Sequence, residues 1–197
     1  DTYTLEGFNH GPGYSGQWIV VAGGATVSNT AQHNSVATGL TPGDNIFRWV
    51  VTSDAFGCVA TDEVTIRNNR PTAASIVSPI PANRELCTNS VDVEAVQPVY
   101  GSGEWSSNNI NITFTSLSNY QSTAQNLDPG SNDIIWTVEN GACVDQTQIT
   151  VINNEVTAVA GSNQVICSDN TYLNATDPSV IYPNQGTGYW TNLTANS

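Results

Sequence analysis

Gly16-Gln17-Trp18 returns as Gly103-Glu104-Trp105 and again as Gly188-Tyr189-Trp190, at spacings of 87 and 85 residues. A period of this size is the mark of a tandem repeat and outranks any local propensity in deciding the fold. Working outward, Leu40-Thr41-Pro42-Gly43-Asp44-Asn45 returns as Leu127-Asp128-Pro129-Gly130-Ser131-Asn132, and Trp49 as Trp136, again 87 apart. Cys58 maps to Cys143 at 85, which places a two-residue insertion just before the later cysteine of the first copy, where surface turns tolerate length changes. The tails Val64-Thr65-Ile66-Arg67-Asn68-Asn69 and Ile149-Thr150-Val151-Ile152-Asn153-Asn154 close the two copies. The chain is therefore expected to hold a repeat over 1–70 that lacks its opening strand, a complete repeat over 71–154, and the N-terminal half of a third over 155–197. Such a half, with an open edge and little core, is not expected to stand as a domain alone.

Within the complete copy, strands are expected near 73–79, 90–96, 103–107, 111–116, 122–127, 132–139 and 146–152. Each is alternating or β-branched, and Gly, Pro, Asn and Asp fill the gaps, the pattern of two packed antiparallel sheets. Comparison of the copies separates the faces, because side-chain direction alternates along a strand. Phe47, Trp49 and Val51 correspond to Ile134, Trp136 and Val138, so this face is expected inside. The alternate set, Ile46, Arg48, Val50 and Thr52 against Asp133, Ile135, Thr137 and Glu139, exchanges apolar for charged residues and is expected to be mostly wet. Val64 and Ile66 match Ile149 and Val151 as a second apolar ridge, and burial of each such side chain contributes roughly 1.5–3 kcal/mol. Pro-Gly at 42–43 and 129–130 predicts a tight turn with positive φ at the glycine.

Seventeen acidic residues stand against four arginines (48, 67, 70 and 84) and no lysine, a net charge of −13. Nucleic acid and anionic membranes need clustered cations to displace counterions, so neither is an expected partner. The acid is expected to keep a long extracellular polymer soluble. With no methionine, no leader and no apolar span, the sequence reads as an internal piece of an exported protein.

The combined cadence, a cysteine, Gly-x-Gly-x-Trp, Leu-x-Pro-Gly-x-Asn, Trp-x-Val and a late cysteine, resembles the PKD-like or Ig-like repeats of Bacteroidetes surface proteins, with gliding-motility adhesins of the SprB type the nearest named group. The resemblance spans essentially the whole chain. It implies an all-β fold of tandem Ig-like/PKD-like β-sandwich repeats of about 85 residues. It also implies export by type IX secretion and a place at the cell surface.

Four cysteines without C-x-x-C spacing, and two histidines, His10 and His33, do not make a zinc site. Disulfides are the alternative. The expected bridge is Cys87–Cys143 within one repeat, with Cys58 and Cys167 paired outside the chain; it would close a loop of nearly 60 residues and stabilise by about 4 kcal/mol. In a simple immunoglobulin-like topology these two cysteines fall at opposite ends, beyond the ~7 Å a bridge spans. Staples across repeat borders, Cys58–Cys87 and Cys143–Cys167, are the other pairing. Trp18, Trp49, Trp105, Trp136 and Trp190 hold recurring strand positions and are expected in the core. Tyr14, Tyr100, Tyr120, Tyr182 and Phe56, in or near loops, are better placed to stack on sugar rings.

No cofactor is implied. Asn68, Asn69, Asn153, Asn154 and Glu155 could offer oxygens to calcium at the repeat borders, but a plain linker explains them, since calcium takes six or more oxygens including carboxylates. Asn-x-Thr sequons at Asn111, Asn174 and Asn192 are as frequent as composition predicts. No nucleophile motif accompanies the histidines, and no acid pair stands out, so no enzyme is expected. The sequence reads as a stalk of linked sandwiches whose partners are neighbouring repeats, surface polysaccharide or other surface proteins. A carbohydrate-binding module and a spacer within a secreted hydrolase are the rival readings.

Overall fold

The computed structural model describes residues 2–177 and 186–192. Its regular structure is all strand apart from one short 3-10 turn. By internal contacts the chain divides into two compact units, Asp1–Ala73 with Pro98–Gly103 and Val138–Asp145, and Ala74–Gln97 with Glu104–Thr137 and Gln146–Ser197.

The first sandwich comprises β1 (Thr2–Thr4), β2 (Tyr14–Ala22), β3 (Thr26–Val27), β4 (Val36–Thr38), β5 (Gly43–Ser53) and β6 (Val59–Asn68). One sheet runs β1-β4-β3 and the other β2-β5-β6. β5 is the central strand. It pairs antiparallel with β2, with Trp18 opposite Trp49, and with β6, with Phe47 opposite Val64. Phe47, Trp49 and Val51 are buried together with Leu5, Trp18, Ala37 and Leu40, while Ile46, Arg48, Val50 and Thr52 on the other face are only partly covered. Arg48 and Glu63 meet there at 2.6 Å, an exposed pair that adds little to stability.

The second sandwich comprises β7 (Ile76–Ser78), the 3-10 turn Pro81–Asn83, β8 (Glu85–Leu86), β9 (Ser90–Ala95), β10 (Ser102–Ser107), β11 (Thr113–Phe114), β12 (Gln121–Gln125), β13 (Gly130–Asn140) and β14 (Cys143–Asn153). Its sheets run β11-β12-β9-β7 and β10-β13-β14-β8. Val91, Val93, Trp105, Leu127, Ile134, Trp136, Val138, Ile149 and Val151 are buried between them. Ile135, on the face expected to be wet, is also buried, at 8% exposure. β8 was not legible in the sequence. It is two residues long and pairs parallel with the end of β14, Glu85 opposite Ile152 and Leu86 opposite Asn153. Two residues carry no alternation to read.

In the first sandwich the glycine of Gly-x-Trp has a steric cause. Gly16 shares a face with Trp18, and the Trp49 indole from β5 lies across it, so an added Cβ would overlap Cζ2 and Cη2 of that ring. Gly16→Ala is therefore expected to destabilise the first sandwich by about 1–3 kcal/mol, the usual cost of overfilling a packed core, read as a lower denaturation midpoint. Gly43 and Gly130 both take φ of +93°, the turn geometry expected of the two Pro-Gly pairs.

From residue 155 on, no strand forms among the described residues. Trp190, expected in the core, is 53% exposed, which corrects that expectation.

Candidate functional site

In both sandwiches the two strand tryptophans pack as a pair. Trp18 and Trp49 have ring centroids 5.0 Å apart at 42°, and Trp105 and Trp136 are 4.7 Å apart at 48°. Trp105 Nε1 donates to the Asn119 carbonyl at 2.8 Å, Trp18 Nε1 to that of His33 at 3.2 Å, and Trp49 Nε1 to that of Phe8 at 3.3 Å. These four indoles are buried and face inward.

Beside them stand buried polar anchors that the sequence reading passed over. Asn45 Nδ2 donates to the carbonyls of Thr41 and Gly43 while its Oδ1 accepts from Thr41 N, and Asn132 binds Asp128 and Gly130 in the same way. Ser35 Oγ accepts from Asn29 N, and Ser122 Oγ from Ser116 N. The signal was present: each is the same polar residue at the same step of 87. Surface positions are free to drift between copies, whereas a buried hydrogen-bonding group is not.

An exposed collection of ring and polar groups stands on the loop between β1 and β2. His10 sits 4.7 Å from Phe8 in an edge-on arrangement and 5.5 Å from Tyr14, centroid to centroid. Phe8 and Tyr14 are exposed, and they border a hollow of about 320 Å³ that also meets His33, Asn29 and Gln32. No carboxylate lines it. The hollow offers ring faces, amides and imidazoles, a surface for stacking and hydrogen bonding. Of the other ring residues considered for sugar stacking, Phe56 and Tyr100 are exposed, Tyr120 is half-buried, and Tyr182 lies outside the described residues.

All four cysteines, Cys58, Cys87, Cys143 and Cys167, are free and exposed, so neither pairing is formed. For Cys87–Cys143 the reason is geometric. Cys87 follows Leu86, which lies opposite Asn153 at the end of β14, whereas Cys143 is the first residue of that 11-residue strand. At about 3.3 Å per residue the ends of β14 are some 30 Å apart. A bridge needs the Cα atoms within about 7 Å. Non-reducing peptide mapping is accordingly expected to yield no Cys87–Cys143 linked peptide.

At the ends of β6 and β14 the asparagines serve the backbone. Asn68 Nδ2 donates to Leu40 O and its Oδ1 accepts from Arg70 N, and Asn153 does the same with Leu127 O and Glu155 N. Among the described residues no group of three or more His, Cys, Asp or Glu is placed to hold a metal ion.

No protein-family model matches the sequence, and no curated protein matches it. Among solved structures, the chain is similar to fibronectin(III)-like modules of Clostridium thermocellum CbhA, at 9% identity and a TM-score of 0.33 over 78% of this chain and 94% of that one. Domains 4 and 5 of the S-layer protein SbsC align at 15% identity and a TM-score of 0.28, over 75% and 74%. An endo-fucoidan hydrolase of glycoside hydrolase family 107 aligns at 12% identity and a TM-score of 0.26, over 70% of this chain and 23% of that one. Likenesses so distant say nothing about activity, and the all-β character rests on the strands themselves.

Proposed function

We propose that this chain is a structural or adhesive stalk segment of a large secreted bacterial cell-surface protein, an adhesin or surface filament, with gliding motility as the finer reading. The observation that carries it is the duplicated core. The tryptophan pair, the Pro-Gly turn and the buried asparagine recur at one spacing, while the loops between them differ. What is repeated is the apparatus of stability, as in a load-bearing array. Many such repeats on one filament would let weak contacts act together.

Pulling the chain by its ends in a force spectrometer tests this. Each sandwich should rupture as its own event, the one from Thr2 to Asn68 releasing roughly 22–24 nm of contour and the one from Ile76 to Asn153 roughly 26–28 nm, at 3.3–3.6 Å per residue. Gradual extension without discrete events would rule out a load-bearing repeat.

The Phe8, His10 and Tyr14 cluster favours a second reading, a carbohydrate contact on the first sandwich. A glycan array would show saturable binding that Tyr14→Ala removes. Binding unaffected by that change would place the contact elsewhere.

A further inference from the structure

The outward sheet faces of the two sandwiches differ in polarity and in charge. In the first, the register of β2, β5 and β6 puts Ile19, Ala22, Ile46, Val50 and Val59 on the side opposite Trp18, Phe47 and Trp49. Ile19 is 41% exposed and Val59 61%, with Ile46 and Val50 half-buried between the strands. The charges on this face come as two pairs across β5 and β6, Arg48 with Glu63 at 2.6 Å and Arg67 with Asp44 at 3.8 Å, so the face is neutral. In the second sandwich, the step of 87 puts Ser106, Asp133 and Thr137 where Ile19, Ile46 and Val50 stand. Glu104 and Glu139 replace Gln17 and Thr52, and Ile135 replaces Arg48, so the counterpart face is acidic.

Charge decides what such a face can meet. A net charge of −13 sets copies of the chain against one another, and a neutral, apolar face is where two of them approach without that repulsion. A basic partner would be drawn to the acidic face of the second sandwich instead. Interface centres are poor in lysine and carboxylates but accept arginine, which fits a patch whose central cation, Arg48, is already paired with Glu63. The face is more open than the β2 edge, which the loop between β3 and β4 crosses, Trp18 N donating to Thr30 O at 2.7 Å.

We propose that the outward face of β2-β5-β6 is a self-association surface, on which the first sandwiches of two copies of this chain pack sheet to sheet. The area sets its strength. Three strands about 4.8 Å apart, with the 11-residue β5 about 35 Å long, present roughly 500 Å², short of the ~800 Å² each partner gives in a stable complex. A single contact is therefore weak and transient, and copies held side by side would multiply it. The acidic counterpart face keeps the second sandwich from joining in. The pairing does not rest on the stalk reading: a chain that dimerises yet extends without discrete ruptures would keep the one and lose the other.

Sedimentation of the full chain over a concentration series up to about 1 mM, the range of weak interfaces, tests this, with a thiol reductant present because four exposed cysteines would otherwise join copies. The expected result is a reversible monomer–dimer equilibrium, with dilution shifting the amide resonances of β2, β5 and β6. Ile19→Ser with Ile46→Asp installs the residues that the second sandwich holds at these places, a pattern its own sheet accommodates, and circular dichroism would show the fold retained. This variant should raise the dimer dissociation constant about tenfold or more, since each copy loses two apolar contacts and gains a carboxylate. Ser106→Asp adds the same charge to the second sandwich and should leave the equilibrium within about twofold, as a surface change away from a contact does. A chain that stays monomeric throughout, a dimer indifferent to the Ile19 and Ile46 changes, or equal weakening by Ser106→Asp would overturn the proposal.

Discussion

Trp105→Ala is expected to cost the second sandwich about 3–5 kcal/mol, the range for emptying a buried tryptophan site. Trp105 is 1% exposed, packs at a tilt on Trp136 at 4.7 Å and stacks on Phe114 at 6.1 Å, and its Nε1 satisfies the Asn119 carbonyl. Alanine removes all three contacts and strands the carbonyl. Because a domain of this size is stable by only about 5–15 kcal/mol, the loss should move the urea midpoint far to the left and raise hydrogen exchange through β9 to β13. A control separates the polar share from the packing. Among the described residues Trp136 Nε1 is buried without a hydrogen-bond partner, so Trp136→Phe forfeits volume alone and should cost less than Trp105→Phe. Equal losses would mean that the Asn119 bond contributes nothing.

Asn132→Ala is expected to cost about 2–4 kcal/mol, because one side chain holds a whole turn and its removal leaves several backbone groups unmet. Its amide donates to Asp128 O at 2.7 Å and Gly130 O at 2.9 Å, and its Oδ1 accepts from Asp128 N at 2.9 Å, at 2% exposure. Leucine would fill the space and should not rescue, since the deficit is in hydrogen bonds. Asn45→Ala should produce a matching loss in the first sandwich, and the two should add, having no shared partners. Equilibrium denaturation of the single and double variants checks this. A loss under about 0.5 kcal/mol, the range of an ordinary surface change, would show that water replaces the side chain.

Much of the core was legible because the chain states it twice. Comparing two copies substitutes for an alignment: Phe47, Trp49 and Val51 against Ile134, Trp136 and Val138 reveal an inward face without any structure, since alternation ties each residue to one side of the sheet. The same comparison marked the Pro-Gly turns, whose glycines do adopt positive φ. It contained Asn45 and Asn132 as well, but a conserved step in the repeat does not say that a polar side chain is buried. That became evident only when its three backbone partners were in place.

Long-range placement was not legible. Alternation determines which side of a strand a residue faces, and the repeat period determines which residues are equivalent; both are local properties, written along the chain. Which sheet edge a two-residue strand such as β8 joins depends on where a vacant row of backbone groups lies in space, and that depends on the whole fold. The same holds for Cys87 and Cys143, which share a repeat yet lie at opposite ends of β14, and for Trp190, which has the motif but stands half exposed. Sequence by itself thus determined the repeat, its faces and its turns. Tertiary structure alone decided the edges, because an edge is defined by the strand that is not there.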